Sequence, residues 1–293
     1  MLAKKLQLTV LAALGIVLFD STAITAADTV KQPVFLGHRG DRELGLQNTM
    51  SSFQGAWKNG CKGVELDIRT TADGKLICFH DPNFSGMSKD KRKVADLTYE
   101  EILKIDIGSK KHPMFKDEKP PLLEEFFAVM PPDTIVQLEI KSGAVNKDFP
   151  FQLQKILKKY NIDRSRVYVI SFEESELRNL NEKTPGMKNM LIMGLKACRD
   201  LGMKDTNDVN VITDKIIAKL QDIGCTGLSF GGGDTRIKYD ANFVRKIKAA
   251  GFELGMWTVN DLYLVRKMAE MQVDYIVTDR PVSLDYIWKK RFK

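Results

Sequence analysis

The sequence predicts an α/β protein, a (β/α)8 TIM barrel with a hairpin and a small insertion after its second strand. Three observations carry this. Eight short β-type runs recur along 293 residues, helix-length segments separate most of them, and no Gly-x-Gly-x-x-Gly follows the first run. Strict strand-helix alternation calls for right-handed parallel crossovers, and eight repeats over about 250 residues suit a closed barrel. The missing glycine fingerprint removes the main sign of the rival, a doubly wound dinucleotide fold.

In chain order, the first element is not part of the barrel. Lys4 and Lys5 precede an apolar run from Leu6 to Phe19, and small residues follow at Ala23, Ala26 and Ala27. This reads as a secretory signal peptide over residues 1–27. The apolar run is shorter than the roughly 20 residues a membrane span needs, which disfavours a retained anchor. No cysteine follows it, which speaks against a lipoprotein, and no later segment approaches spanning length. The expectation is an exported protein, periplasmic or secreted if bacterial, with residues 28–293 as a single barrel and no stable membrane insertion after cleavage.

The strand candidates are "PVFLGH", "GVELDIR", "TIVQLEIK", "RVYVISF", "NMLIMGL", "TGLSF", "ELGMWTV" and "DYIVTDR". Between them lie "TMSSFQGAWKNG", "FQLQKILKKY", "ESELRNLNEK", "DKIIAKLQDIG", "DANFVRKIKAAG" and "DLYLVRKMAEM". Several space their apolar residues by three and four, as Phe243, Ile247 and Ala250 do, which marks amphipathic helices. After the second strand, Asp73-Gly74 is a turn signal that joins a second extended run, so that strand carries a hairpin. Residues from about 82 to 122 form an irregular excursion. It includes a capping box, Thr98 with Glu101, and ends at Pro120-Pro121. It reads as an insertion over the barrel mouth. The triplet Gly231-Gly232-Gly233 reads as a loop tip rather than a phosphate cradle.

Composition fits a folded globular chain, 43% hydrophobic and 28% charged. The net charge of +7 could suggest nucleic acid, but the basic residues are interleaved with acidic ones and build no stripe. The reading is a solvated surface and no nucleic-acid partner, with small phosphorylated ligands as the second choice. Cys61, Cys78, Cys198 and Cys225 show no metal-type spacing. Cys61 and Cys78 read as buried thiols, and the sequence alone pairs none of the four.

The chemistry concentrates where strands end, the face on which barrels of this type carry their active sites. Glu65 and Asp67 are two apart and leave their strand on the same face, and Glu139 and Lys141 repeat this on the third strand. Facing carboxylates repel unless a cation lies between them. Three hard oxygen ligands, Glu65, Asp67 and Glu139, suit one divalent cation, Mg²⁺ or Ca²⁺, better than zinc. The alternative is ion pairing at the rim with Lys141 and Arg39, and spacing alone leaves both open. His38 ends the first strand and His80 the hairpin, which makes them an acid-base pair candidate, whereas His112 reads as solvated. Arg39 and Lys141 add positive charge, with the arginine fork suited to phosphate oxygens. Phosphodiester cleavage is the reaction class this set fits best.

The motifs "HRG", "QNT", "GVELDIRTTADGKLICFHD", "LEIK", "WTVN" and "VDYIVTDRP", in this order, resemble the glycerophosphodiester phosphodiesterases over nearly all of the chain after the signal peptide. The resemblance implies a barrel and hydrolysis of small-molecule glycerophosphodiesters to sn-glycerol 3-phosphate and an alcohol. It implies that His38 and His80 are the acid-base pair, that Arg39 and Lys141 hold phosphate, and that Glu65, Asp67 and Glu139 are metal ligands. Trp257 would pack against the glycerol end, a core role being the alternative. In the mechanism proposed for relatives the glycerol 2-hydroxyl attacks phosphorus, a histidine protonates the departing alcohol, and water opens the cyclic phosphate. Diacyl lipids lack that hydroxyl and are expected to be poor substrates. The family's usual "ENT" is "QNT" here, so Gln47 removes a negative charge beside Arg39. Two rival readings stay open: a lysophospholipase D-like hydrolase, and a non-catalytic phosphodiester-binding protein.

Overall fold

The expected runs become strands because they are apolar on both faces, as parallel strands under helices must be. The structure is a computed structural model that describes residues 30–141, 143–204 and 207–292; the expected signal peptide lies outside the described residues. Its strands are β1 (Val34–His38), β2 (Gly63–Thr70), β3 (Leu76–Cys78), β4 (Ile135–Ile140), β5 (Val167–Ser171), β6 (Lys188–Met193), β7 (Gly227–Phe230), β8 (Glu253–Met256) and β9 (Tyr275–Thr278). All but β3 are parallel neighbours in turn, and β1 pairs with both β2 and β9, which closes an eight-stranded barrel. β3 pairs antiparallel with β2, the hairpin expected from Asp73-Gly74.

The helices are α1 (Met50–Lys58), α2 (Tyr99–Ile102), α3 (Leu123–Val129), α4 (Phe149–Lys159), α5 (Glu174–Lys183), α6 (Leu195–Asp200), α7 (Thr213–Ile223), α8 (Ala241–Ala249), α9 (Leu262–Glu270) and α10 (Pro281–Arg291). The six helix-length segments of the sequence become α1, α4, α5, α7, α8 and α9. Side-chain alternation divides each strand between two layers. Val64, Leu66 and Ile68 of β2, with Val136 and Leu138 of β4, pack outward with Phe53, Phe126 and Leu153 of the helices. The other parity, Glu65 and Asp67 on β2 and Glu139 on β4, faces inward.

Register then sets the site. His38 pairs with Glu65 across β1 and β2, and Asp67 pairs with Glu139 across β2 and β4. Below them Tyr168, Ile170, Met190 and Ile192 fill the barrel. At the floor the Tyr168 and Tyr275 hydroxyls lie 2.7 Å apart, and Lys188 pairs with Glu253 at 2.9 Å.

The excursion after β3 builds its own apolar cluster, in which Phe84, Met87, Val94, Ile102 and Ile107 pack with Leu46 of the β1–α1 loop. Thr98 and Glu101 form the expected capping box at α2. Two sequence expectations need correction. "ELGMWTV" stops being strand at Met256 and "DYIVTDR" at Thr278, so Trp257 and Asp279 stand on the loops of the mouth. The glycine triplet is not an exposed tip: Gly231 and Gly232 are buried. A Cβ on Gly233 would lie 2.0 Å from the Thr258 carbonyl oxygen, and the three N–H groups donate to the carbonyls of Met193, Phe230 and Trp257. With those donors spent on backbone, the triplet cradles no phosphate.

Candidate active site

The turn after β1 begins the site. Arg39 adopts a left-handed backbone, φ 61°, and Gly40 follows at φ 88°. A Cβ on Gly40 would come within 2.3 Å of Ser52 Oγ, so only glycine lets the start of α1 approach. Ser52 Oγ and the Asn48 N–H both donate to the Arg39 carbonyl. The turn therefore fixes His38 and Arg39 side by side at the strand end. The Arg39 N–H donates to Glu65 Oε2 at 3.1 Å, while Arg39 Nη1 donates to Gln47 Oε1 at 2.7 Å.

Each histidine is held by an aspartate. His38 Nδ1 lies 2.7 Å from Asp279 Oδ1, and His80 Nδ1 lies 2.6 Å from Asp81 Oδ1. An aspartate acceptor at Nδ1 selects the tautomer whose Nε2 is free, and both rings line the same cleft. Asp279 is held in turn: Arg42 Nη1 donates to its Oδ1 at 2.6 Å and Asn260 Nδ2 to its Oδ2 at 2.8 Å. Burial pushes the Asp279 carboxyl up, but the hydrogen bonds from His38 and Asn260 and the charge of Arg42 win and hold it well below the usual carboxylate range. Burial lowers the His38 pKa, opposed by Asp279 and assisted by Arg39. It lowers His80 as well, against the pull of Asp67.

Glu65, Asp67 and Glu139 are buried, and one oxygen of each lies within 4.8 Å of the others. The rim ion pairs considered from sequence exist too: Arg39 Nε is 3.1 Å from Asp67 Oδ2, and Lys141 Nζ is 2.8 Å from Asp67 Oδ1 and 2.5 Å from Glu139 Oε1. They do not satisfy the whole cluster. Two cations face three carboxylates, and Glu65 has a backbone N–H as its hydrogen-bond partner. Burial raises Asp67, yet Lys141 and Arg39 pull it down to about 2. Burial and the charge of Asp67 push Glu65 well up and Glu139 to about 7. That surplus of negative charge, on hard buried oxygens, fits a divalent cation.

All the catalytic, phosphate-binding and metal-ligand candidates gather here. His38, Arg39, Glu65, His80, Glu139, Lys141 and Trp257 line one cleft of about 170 Å³, and Asp67 lies behind it. Trp257 donates through Nε1 to the Ser229 carbonyl and meets Phe172 edge-on, ring centroids 5.7 Å apart. Phe172 is 48% exposed, an unusual position for a bare phenyl ring. His112 is exposed, as expected, and all four cysteines are buried and free.

The sequence reading missed the second layer. Asn48 donates to Asp67 Oδ2 at 2.7 Å and accepts from the Asp67 N–H at 3.2 Å. Asp279, Asp81 and Asn260 were passed over, although each follows an apolar run directly or stands near the end of one. Gln137, fully buried two residues before Glu139, lines the cleft with its Oε1 unpartnered among the described residues.

The sequence pattern of the Glycerophosphoryl diester phosphodiesterase family matches residues 38–283. A glycerophosphodiester phosphodiesterase of Caldanaerobacter subterraneus subsp. tengcongensis is 30% identical over 260 residues, covering 87% of this chain and 97% of that one. A human lysophospholipase D is 30% identical over 139 residues, 45% of this chain and 43% of that one. Among solved structures, an Oleispira antarctica phosphodiesterase in complex with the product sn-glycerol-3-phosphate matches with a TM-score of 0.74 at 22% identity, covering 88% and 97% of the two chains. That likeness shows the barrel fold.

Proposed function

The chain belongs to the glycerophosphodiester phosphodiesterase family, and from that premise we propose that it cleaves glycerophosphodiesters to sn-glycerol 3-phosphate and an alcohol, with His38 and His80 moving the protons. The observation that carries this reading is that two imidazoles, each turned by an aspartate, share one cleft with two cations and two buried carboxylates, a third carboxylate lying just behind.

Arg39 and Lys141 hold the phosphate, their charge opposing the negative charge that builds as phosphorus gains a fifth oxygen. One histidine takes the proton of the glycerol 2-hydroxyl at Nε2 as the new O–P bond forms. The other enters the step as the imidazolium and gives its Nε2 proton to the alcohol oxygen as the old P–O bond breaks. Water then opens the cyclic phosphate with the roles reversed. Asp279 and Asp81 keep each ring oriented and steady the imidazolium when it forms. Glu65, Asp67 and Glu139 would hold Mg²⁺ or Ca²⁺, which when bound would supply further positive charge to the phosphoryl oxygens. Trp257 and Phe172 border the glycerol arm.

A lysolipid substrate is the second reading, favoured by the partial likeness to a human lysophospholipase D. A lysolipid keeps the free hydroxyl that the attack needs, so the two readings separate only by assay. A purely binding role leaves the proton-transfer pair without use. Export by residues 1–27, leaving residues 28–293 as one barrel outside the cytoplasm, completes the proposal.

The test is choline release from glycerophosphocholine and from lysophosphatidylcholine, with Mg²⁺ or Ca²⁺ and with chelator, with glycerol 3-phosphate followed as the second product of the water-soluble ester. Turnover of the water-soluble ester that needs the cation supports the reading. Turnover of the lysolipid alone would move it to the rival, and tight binding without turnover to a binding role.

A further inference from the structure

A second, larger hollow adjoins the reaction cleft, about 770 Å³ against about 170 Å³. The two share a wall. Asp279, bonded to His38, and Gln47, bonded to Arg39, both line the larger groove. A diester held at Arg39 has two arms. The small cleft, walled by Ile170, Ile192 and Trp257, suits a short polyol. The groove is then the space for the other arm, the alcohol that departs.

Its charge selects what that alcohol carries. Four cations line the groove, Arg42, Lys110, Lys111 and Arg280, against two anions, Glu43 and Asp279. Both anions are engaged: Asp279 by His38, Arg42 and Asn260, Glu43 by Arg280 at 3.5 Å and by the Ser283 hydroxyl. Lys110 Nζ donates to the Ser85 carbonyl at 2.8 Å and Lys111 Nζ to the Gly45 carbonyl at 2.6 Å. Among the described residues neither ammonium group has a carboxylate in ion-pair range. Gln47, the neutral amide on the shared wall, adds no compensating charge. Two lysines of the insertion thus present positive charge beside a phosphodiester site, with backbone oxygens fixing their place.

We propose that this groove is the subsite for the departing alcohol and that it favours alcohols bearing an anionic group, a second phosphate above all. The inference rests on the hydrolysis proposed above and gives the insertion a role in recognition, since its residues 107–111 bring the selecting charge to the barrel. A phosphate there meets two exposed lysine side chains, an advantage of roughly three- to tenfold in kcat/KM at low salt. A cationic alcohol such as choline meets repulsion instead.

Two probes differ by one phosphate on the same alcohol: sn-glycero-3-phosphoinositol and its inositol 4-phosphate counterpart. The ratio of their kcat/KM values is measured for the wild type and for Lys110→Ala with Lys111→Ala, at low salt and at about 0.5 M salt. The expected result is a wild-type preference for the phosphorylated ester that collapses toward one in the double variant and in high salt. Lys110→Ala alone, an exposed position, serves if the double variant does not fold, and should lower the ratio on its own. A wild-type ratio near one, or a ratio that the lysine substitutions leave unchanged, would overturn the subsite while glycerophosphocholine turnover leaves the hydrolysis standing. Absence of turnover with all three esters would overturn both.

Discussion

The two halves of the barrel mouth differ in kind. From β1, β2 with its hairpin, and β4 come His38, Arg39, Glu65, Asp67, His80, Glu139 and Lys141, every ionisable group of the cleft. From β5 through β9 come Ile170, Phe172, Ile192, Ser229, Trp257 and Val277, with no charge among them. The charged half can perform the chemistry, and the neutral half gives it a medium of low polarity. In that medium the pull of Arg39 and Lys141 on a phosphate is stronger than it would be in water. On the proposed mechanism, proton transfer and binding of the glycerol arm divide along the strand order: substitution of the histidines in the first half should strike kcat, substitutions in the second half KM.

The largest expected effect lies in the charged half. His38→Ala or His80→Ala should lower kcat for glycerophosphocholine by about 10²–10⁴-fold, read as glycerol 3-phosphate release. Next is Asn48→Ala, which frees Asp67 from its amide partner. Cation affinity should fall by about 10- to 100-fold in calorimetric titration, the loss typical of an outer partner of a metal ligand. In the neutral half, Trp257→Ala should raise KM by roughly tenfold with a smaller change in kcat, since one aromatic face leaves the proposed glycerol site. A kcat loss as large as that of the histidine variants would erase the division between the halves.

A subtler consequence concerns stability. Burial and neighbouring charge raise the Glu65 and Glu139 pKa values in the cation-free protein, Glu139 to about 7 from an ordinary 4.5. A carboxyl raised on folding binds more protons folded than unfolded, so its contribution falls as pH climbs from about 4.5 through 7. Thermal denaturation of cation-free protein should therefore show a loss between about pH 5 and pH 8 that Glu65→Gln reduces. Added Mg²⁺ or Ca²⁺ should stabilise most at the upper end. The smallest effect is that of Gln47→Glu. It swaps an amide that accepts from Arg39 for a carboxylate of the same reach, and activity on glycerophosphocholine should stay within about tenfold.

The charged half was also the half legible in the sequence. Glu65, Asp67 and Glu139 announce themselves because a carboxylate amid apolar, period-two residues is out of place on a buried strand. His38 and Arg39 do so because they end one. Eight strands were legible for the same reason, as apolar runs bounded by turns. What the sequence concealed depends on distant pairing. Asp279 acts through His38, 241 positions away, and that contact exists only once β1 meets β9. Asn48 reaches Asp67 because the β1–α1 loop folds back over β2, a closure no local pattern announces. α3 and α10 escaped because α3 is only seven residues long and α10 buries few residues between charged ones. The neutral wall escaped because Ile170 and Ile192 look like any other core residues. The buried glycine triplet shows the limit of composition: three glycines read as a flexible tip, while packing against Thr258 makes them a tight seam.

The central claim is that the two imidazoles serve as acid and base in one displacement. The most direct measurement compares His38→Ala and His80→Ala on two substrates, glycerophosphocholine and the p-nitrophenyl ester of glycerol 3-phosphate, whose leaving group departs without a proton. One variant should lose about 10²–10⁴-fold on glycerophosphocholine yet stay within about tenfold of wild type on the nitrophenyl ester, and the other should lose both. Equal losses on both substrates in both variants, or wild-type turnover in either, would contradict the assignment.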